Sequence, residues 1–313
     1  MNYLAQKIRH IPVLVDQVLD WLITVPSGWY VDGTTGTGGH TAAIISRLLP
    51  DGRVLGIDLD PESLAIAREQ LASDLSRITL RQGSYTQIPL FLEELSINTC
   101  QGILLDLGLS SYCLQSSGRG FSFQSDEPLD MRYDTSNGRP LYEVLPQLTP
   151  ATLASILSRY GEERRADAVA SAIHHEAVAG RLTTSGALAD TVKDTVRGPM
   201  KIKSLARVFQ ALRIFINDEL NSLETALELL SNILESGRRM VIISYHSLED
   251  RLVKRFLARE AKDCLCPPYF PKCVCSHTAS LKVLTNKPVI PTPEEIALNP
   301  RSRSAKLRVG ERL

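Results

Sequence analysis

The chain has 313 residues, with 35 Lys+Arg balanced by 35 Asp+Glu. That length suits one large α/β domain with a substantial insertion, or two ordinary domains. Zero formal net charge means that an anionic partner must be met by local basic patches, which counts against a simple nucleic-acid coat protein. The opening MNYLAQKIRH lacks the apolar centre of a signal peptide, and no run of about 18 apolar residues occurs, so a soluble cytoplasmic protein with no membrane segment is expected. Six cysteines, four of them bunched in CLCPPYFPKCVC, do not read as a secreted disulfide framework.

From Trp29 to Asp106, short apolar runs alternate with helical periodicity: WYVD, TAAIISRLL, RVLGIDLD, ESLAIAREQL, RITLRQG, GILLDLG. This pattern predicts βαβ units on a parallel sheet. Between Leu109 and about Arg207 the text is first loop-like and then helical (ATLASILSRYG, ADAVASAIHHEAVAG, GALADTVKDTV), which predicts a mainly helical insertion over 111–207. Two amphipathic segments, LARVFQALRIFINDEL and SLETALELLSNIL, lead into RRMVIISYHS, where the sheet resumes. The expected sheet domain is therefore 1–110 with 208–313. Its tail, with β-rich ends around a proline-punctuated link, suits a final antiparallel edge.

The segment WYVDGTTGTGGHT sets Gly33, Gly36, Gly38 and Gly39 between a predicted strand and a predicted helix, where a tight turn lets backbone N–H groups approach a ligand. Asp58 ends the next strand, where a carboxylate can accept both hydroxyls of a ribose. Thr41 stands where a dinucleotide fingerprint wants its last glycine, so a nucleoside cofactor is favoured over a pyrophosphate one. Tyr85, after the third strand, can lay its ring on an adenine or simply pack. Asp106 ends the fourth strand at the crevice edge of the sheet, though it can also cap the helix that follows.

The motifs HIPVL, DGTTGTGGHT, DLGLSS, RGFSF, PLDMRYD, YGEER, RVFQALRI, SYHSLEDR and NPRSRSAKLR follow one another nearly end to end. In this order and spacing the chain resembles the small-subunit ribosomal RNA methyltransferase H family, also called MraW. The resemblance implies a class I (Rossmann-like) methyltransferase fold with a helical insert and S-adenosyl-L-methionine as cofactor. The implied reaction is methyl transfer to N4 of a cytidine in the decoding centre of 16S rRNA, with naked RNA or the 30S subunit as partner. Carried over by motif, the cofactor contacts fall on Gly38, Gly39, His40, Asp58, Tyr85 and Asp106, with Gly36 in the same turn. Two departures from the family's usual text stand out: Cys113 replaces a glutamine, and the segment Lys203-Ser204-Leu205-Ala206 replaces His-Pro-Ala-Thr.

A cytosine amine is a poor nucleophile because its lone pair is delocalised into the ring, so an acceptor is needed beside N4. Asp106 and the Ser110 hydroxyl are the candidates, with His246 as a second acceptor or a hydrogen-bonded loop histidine. A base splayed for reaction calls for aromatic and arginine stacking, which RGFSFQSDEPLDMRYD offers in Arg119, Phe121, Phe123, Arg132 and Tyr133, unless the phenylalanines staple the insert. Arg301, Arg303, Lys306 and Arg308, and separately Lys201, Lys203, Arg207 and Arg213, form candidate phosphate strips or plain solvated surface. Cys264, Cys266, Cys273 and Cys275, with His277 near, have enough thiolates for zinc; the unusual C-x-C spacing favours reduced thiols, and no metal is expected. An amino-methyltransferase of another nucleic acid, and a non-catalytic ribosome-assembly factor, are the competing readings. A homodimer is left open.

Overall fold

The computed structural model describes residues 12–267, 270 and 272–313, apart from the side chains of Ser111 and Gln115. MNYLAQKIRH, with the first two residues of HIPVL, and Pro268, Tyr269 and Pro271 of the cysteine segment lie outside the described residues.

In chain order, α1 (Val15–Leu22) precedes β1 (Trp29–Asp32), α2 (Gly39–Arg47), β2 (Arg53–Asp58), α3 (Pro61–Gln70), β3 (Ile78–Gln82), α4 (Ile88–Glu94) and β4 (Cys100–Asp106). Next come α5 (Ser111–Gln115), α6 (Leu141–Val144), α7 (Pro150–Gly161), α8 (Ala166–Val178), α9 (Ser185–Thr195), α10 (Lys201–Ile216) and α11 (Glu219–Ser231). The sheet then resumes with β5 (Leu234–Ser244), α12 (Ser247–Glu260), β6 (Leu281–Val283), α13 (Pro293–Leu298) and β7 (Lys306–Arg312). Local chemistry sets the ends of these elements. The Asp60 carboxylate accepts the Glu62 N–H at 3.1 Å and Pro61 opens α3, a preorganised start for the crossover that follows β2.

The seven strands lie in the order β3-β2-β1-β4-β5-β7-β6. β1 to β5 are parallel, and β7 runs antiparallel between β5 and β6. This is the class I methyltransferase arrangement. Strands covered on both faces need continuous apolar runs, and Ile103, Leu104 and Leu105 of β4 and Val241, Ile242 and Ile243 of β5 are all essentially inaccessible to solvent. Crossovers put α1, α2 and α3 against one apolar layer and α4, α11 and α12 against another. Among the described residues no helix is long and apolar enough to cross a membrane.

The chain divides into two compact units, Met1–Gly108 with Ser222–Leu313, and Leu109–Asn221. The second is helical and has its own core, contributed by α7 to α10 and by the loop before them. It runs past the expected end at Arg207, because Val208, Phe209, Ala211 and Leu212 of α10 are buried in that core. An amphipathic pattern reports that α10 has a buried face, not which layer covers it.

Candidate active site

The turn between β1 and α2 is shaped by its glycines. Gly36 and Gly38 have positive φ (52° and 95°), a region that costs an L side chain energy, and Gly38 is the N-cap of α2. At Gly33 a Cβ would stand 2.6 Å from Leu105 Cδ2 and 3.2 Å from Tyr85 Cβ, so the bare backbone is what lets β1, β4 and Tyr85 close together. The turn is held by carboxylates at strand ends. Buried Asp32 accepts the Thr41 hydroxyl at 2.6 Å and the Thr34 N–H at 3.2 Å. Asp58 accepts the Gly36 N–H at 2.7 Å on Oδ2 and the Asp60 N–H at 2.9 Å on Oδ1. Burial pushes the Asp58 carboxyl up to about 6, against those two hydrogen bonds; the charges of Asp60 and Asp32 act in the same direction as burial.

Asp106 ends β4 beside this turn, and its N–H donates to Thr34 Oγ1 at 2.6 Å. Its two oxygens meet different partners. The Tyr245 hydroxyl, just past β5, donates to Oδ1 at 2.8 Å, and His40 Nε2 of α2 lies 3.3 Å from Oδ2. Burial opposes a charge on His40, yet the adjacent Asp106 carboxylate and the charge of Asp32 outweigh it, and its pKa is raised. Tyr245 is held well above its usual range by burial and by the Asp106 charge, so it stays a phenol and a donor. Sequence reasoning quoted Tyr245 within its motif without assigning it a role.

A family model described as the MraW methylase family matches residues 7–313. The Ribosomal RNA small subunit methyltransferase H of Syntrophotalea carbinolica is 46% identical over 308 residues, covering 97% of this chain and 98% of that protein. That of Heliobacterium modesticaldum is 42% identical, covering 97% of this chain and 99% of its own. Among solved structures, a putative rRNA-methylase from Clostridium thermocellum covers 96% of this chain and 95% of its own at 12% identity, with a TM-score of 0.43. This chain belongs to the MraW methylase family.

A methylase of this family uses S-adenosylmethionine, and the residues at the turn fit that nucleoside. Each Asp58 oxygen takes one backbone N–H and keeps a second lone pair for a ribose hydroxyl. Neither ring nitrogen of buried His40 has a hydrogen-bond partner among the described residues; Nε2 faces the Asp106 carboxylate at 3.3 Å, and Nδ1 is an orphan that a polar ligand at the turn would satisfy. Half-buried Tyr85 packs against the apolar layer that α4, α11 and α12 cover, and it adjoins Gly33.

The other candidate residues have partners within the protein. His246 is the N-cap of α12: Nδ1 accepts the Glu249 N–H at 3.4 Å, and Nε2 lies 3.1 Å from Glu249 Oε1. Nδ1 therefore serves the helix start, as in the hydrogen-bonded loop histidine that the sequence left open beside an acceptor role. Ser110 caps α5 by accepting the Cys113 N–H at 3.1 Å. Arg119 is buried and donates to the carbonyls of Arg132 and Tyr133 at 3.2 and 2.7 Å, with Cys113 Sγ 3.8 Å away. Arg132 grips Asp130 through Nε at 2.6 Å and three loop carbonyls of Thr135, Asn137 and Gly138. Phe121 is buried and stacked on Tyr133 (5.5 Å, 21°), and Phe123 meets Phe209 edge-on at 5.5 Å. Of the two roles the sequence left open for these four, base stacking and stapling of the insert, the contacts within the protein are those of fastening the insert's loop: a buried arginine donates to the carbonyls beside it. The basic strips are also partly neutralised: Lys306 and Arg308 close on Asp250 at 3.2 and 2.7 Å, and Arg213 on Glu219 at 2.8 Å.

Proposed function

We propose that this methylase moves a methyl group from S-adenosylmethionine to the N4 amino group of a cytidine in the decoding centre of 16S rRNA, acting in the cytoplasm on naked RNA or the 30S subunit. The observation that carries the chemistry is Asp106, held between the Tyr245 hydroxyl and His40 beside the glycine turn. The family match over residues 7–313 and the small-subunit names of relatives at 42–46% identity support the RNA substrate.

In this reading Gly36, Gly38, Gly39 and His40 line the cofactor, Asp58 accepts its ribose hydroxyls, and Tyr85 flanks its base. The cofactor supplies an electrophilic methyl on a sulfonium, a good leaving group. Asp106 accepts an N–H of the incoming amine, which turns the nitrogen lone pair toward the methyl, and its carboxylate takes up the proton that N4 loses as the N–C bond forms and the methyl–sulfur bond breaks. Tyr245 and His40 fix the carboxylate's rotamer so that little reorganisation is left for the reacting moment. Tyr245 is thus a positioning residue, and His246 acts one step back by fixing the start of α12, immediately after Tyr245.

Single-turnover methyl transfer at saturating cofactor tests this. Asp106→Asn keeps the shape and removes the charge, and should slow transfer by about 10² or more. Tyr245→Phe should slow it by roughly tenfold, the loss of one hydrogen bond to a charged group, with cofactor affinity unchanged. Nucleoside mass spectrometry of the product should show N4-methylcytidine. A methyl on another atom, or an undiminished Asp106→Asn, would sink the assignment.

A further inference from the structure

Between Glu260, the end of α12, and Ser280, just before β6, the chain forms a long excursion with no helix or strand among its described residues. Its base is pinned: the Ser280 N–H donates to Glu260 O at 2.8 Å, and the Ser280 hydroxyl to the Glu260 carboxylate at 2.6 Å. Beyond that base its described apolar residues form no buried core, for Leu265, Phe270 and Val274 are 41%, 43% and 71% exposed. A loop of this length without a core needs some other tie to keep one conformation.

The four thiols of this loop converge. All six cysteines of the chain are free thiols, so no disulfide supplies the tie. Cys264 Sγ lies 3.4 Å from Cys273 Sγ and 3.8 Å from Cys275 Sγ, and the last two are 3.6 Å apart. With Cys266, all four sulfurs lie within 4.8 Å of one another. A zinc–thiolate bond of about 2.3 Å implies a tetrahedron edge of about 3.8 Å, close to the spacing of these sulfurs.

The backbone is arranged for charge on those sulfurs. The two C-x-C arms exchange matching hydrogen bonds: the Leu265 N–H, middle of the first arm, donates to Cys275 Sγ at 3.3 Å, and the Val274 N–H, middle of the second, donates to Cys266 Sγ at 3.3 Å. The Cys266 N–H donates to Cys264 Sγ at 3.4 Å. An N–H aimed at sulfur is a weak bond to a thiol and a much stronger one to a thiolate, so the pattern suits four ionised ligands. Four thiolates crowded in solvent repel one another unless a cation sits among them. The single-residue C-x-C spacing, which in the sequence favoured reduced thiols, still brings the four sulfurs together here through two paired arms.

We propose that Cys264, Cys266, Cys273 and Cys275 form a tetrathiolate site for one divalent zinc ion, a structural staple for the loop between α12 and β6. With four protein ligands the shell is closed, which leaves no open position for chemistry on the metal. Zinc displaces the thiol protons on binding and changes no oxidation state. None of the four cysteines is among the residues assigned to the cofactor or to methyl transfer, so the test of this site is independent of that reading.

Elemental analysis of the full-length protein purified under reducing conditions without chelator should give about one zinc per chain. Cobalt(II) added to the metal-stripped protein should produce the intense charge-transfer and visible bands of a tetrahedral thiolate complex, abolished by Cys273→Ser. Limited proteolysis of the wild-type chain should cut between Glu260 and Ser280 only after zinc is removed, a readout that does not depend on any variant folding. The expected pattern is all three. Metal-free protein that takes up no cobalt, an octahedral cobalt spectrum, or a native disulfide among these cysteines would each overturn the proposal.

Discussion

Asp58 shows how far a single residue's role follows from its place. Its carboxyl is raised from 3.8 to about 6 by burial, so in the cofactor-free protein it contributes stability that is present at the acid end and lost as pH rises through about 6. Ribose hydroxyls donating to the ionised form reverse the balance. Cofactor affinity should therefore strengthen as pH rises through about 6, and this slope should vanish in Asp58→Asn. Removing the acceptor in Asp58→Ala should cost about 1.5–3 kcal/mol, roughly ten- to more than a hundredfold in affinity by calorimetry. Wild-type binding flat across that pH range would remove Asp58 from the site. Asp58 and Asp106 were legible in the sequence because each ends an apolar run, and strand ends face the crevice. Tyr245 was not, since its partner lies 139 positions away. The signal was register: Asp106 aligns with Ile243, so the second residue after it stands just past both strand ends. For Arg119, Phe121, Phe123 and Arg132 the sequence left base stacking and loop fastening open, because composition suits both equally.

Elements were more legible than their partners. The apolar runs located β1 to β5, and the two β-rich ends of the tail are indeed the antiparallel β6 and β7. What periodicity could not show is which helix lies on which. Gly161 is an example: it ends α7, and a Cβ there would stand 2.5 Å from the Arg207 carbonyl oxygen and 3.2 Å from Ala211 Cβ, both on α10. On propensity alone Gly161→Ala would stabilise the helix by up to about 1 kcal/mol. The backbone contact reverses the sign, and the variant should be less stable by about 1–3 kcal/mol in denaturant unfolding. A neutral or stabilising result would show that α7 and α10 can part without cost.

At the scale of the whole chain, the helical unit interrupts the sheet unit between β4 and β5, and each has its own buried core. Units with separate cores open separately. A cofactor bound at the glycine turn, at a hundred times its dissociation constant, should stabilise what it binds by about 2.7 kcal/mol. Hydrogen exchange should then slow about a hundredfold at core amides of β1, β2 and β4, leaving those of α7 and α8 unchanged. Equal slowing in both would show one cooperative unit. The sequence announced the interruption through the change from strand runs to helical periodicity after Leu109; its far boundary was hidden because α10 continues the pattern of the helices on either side.

The placing of β7 bears on how the protein is born. β6 is made before β7 yet pairs with it alone among the described strands, and β5 also waits for β7 on its second edge. A nascent chain emerging from its first residue onward can complete the helical unit while β5 is still unsynthesised, but it carries an open β-edge until residues 306–312 appear. During that interval the half-built sheet is a target for chaperones and for mispairing with neighbouring nascent chains, and a pause in translation shortly before Lys306 would lengthen the exposure.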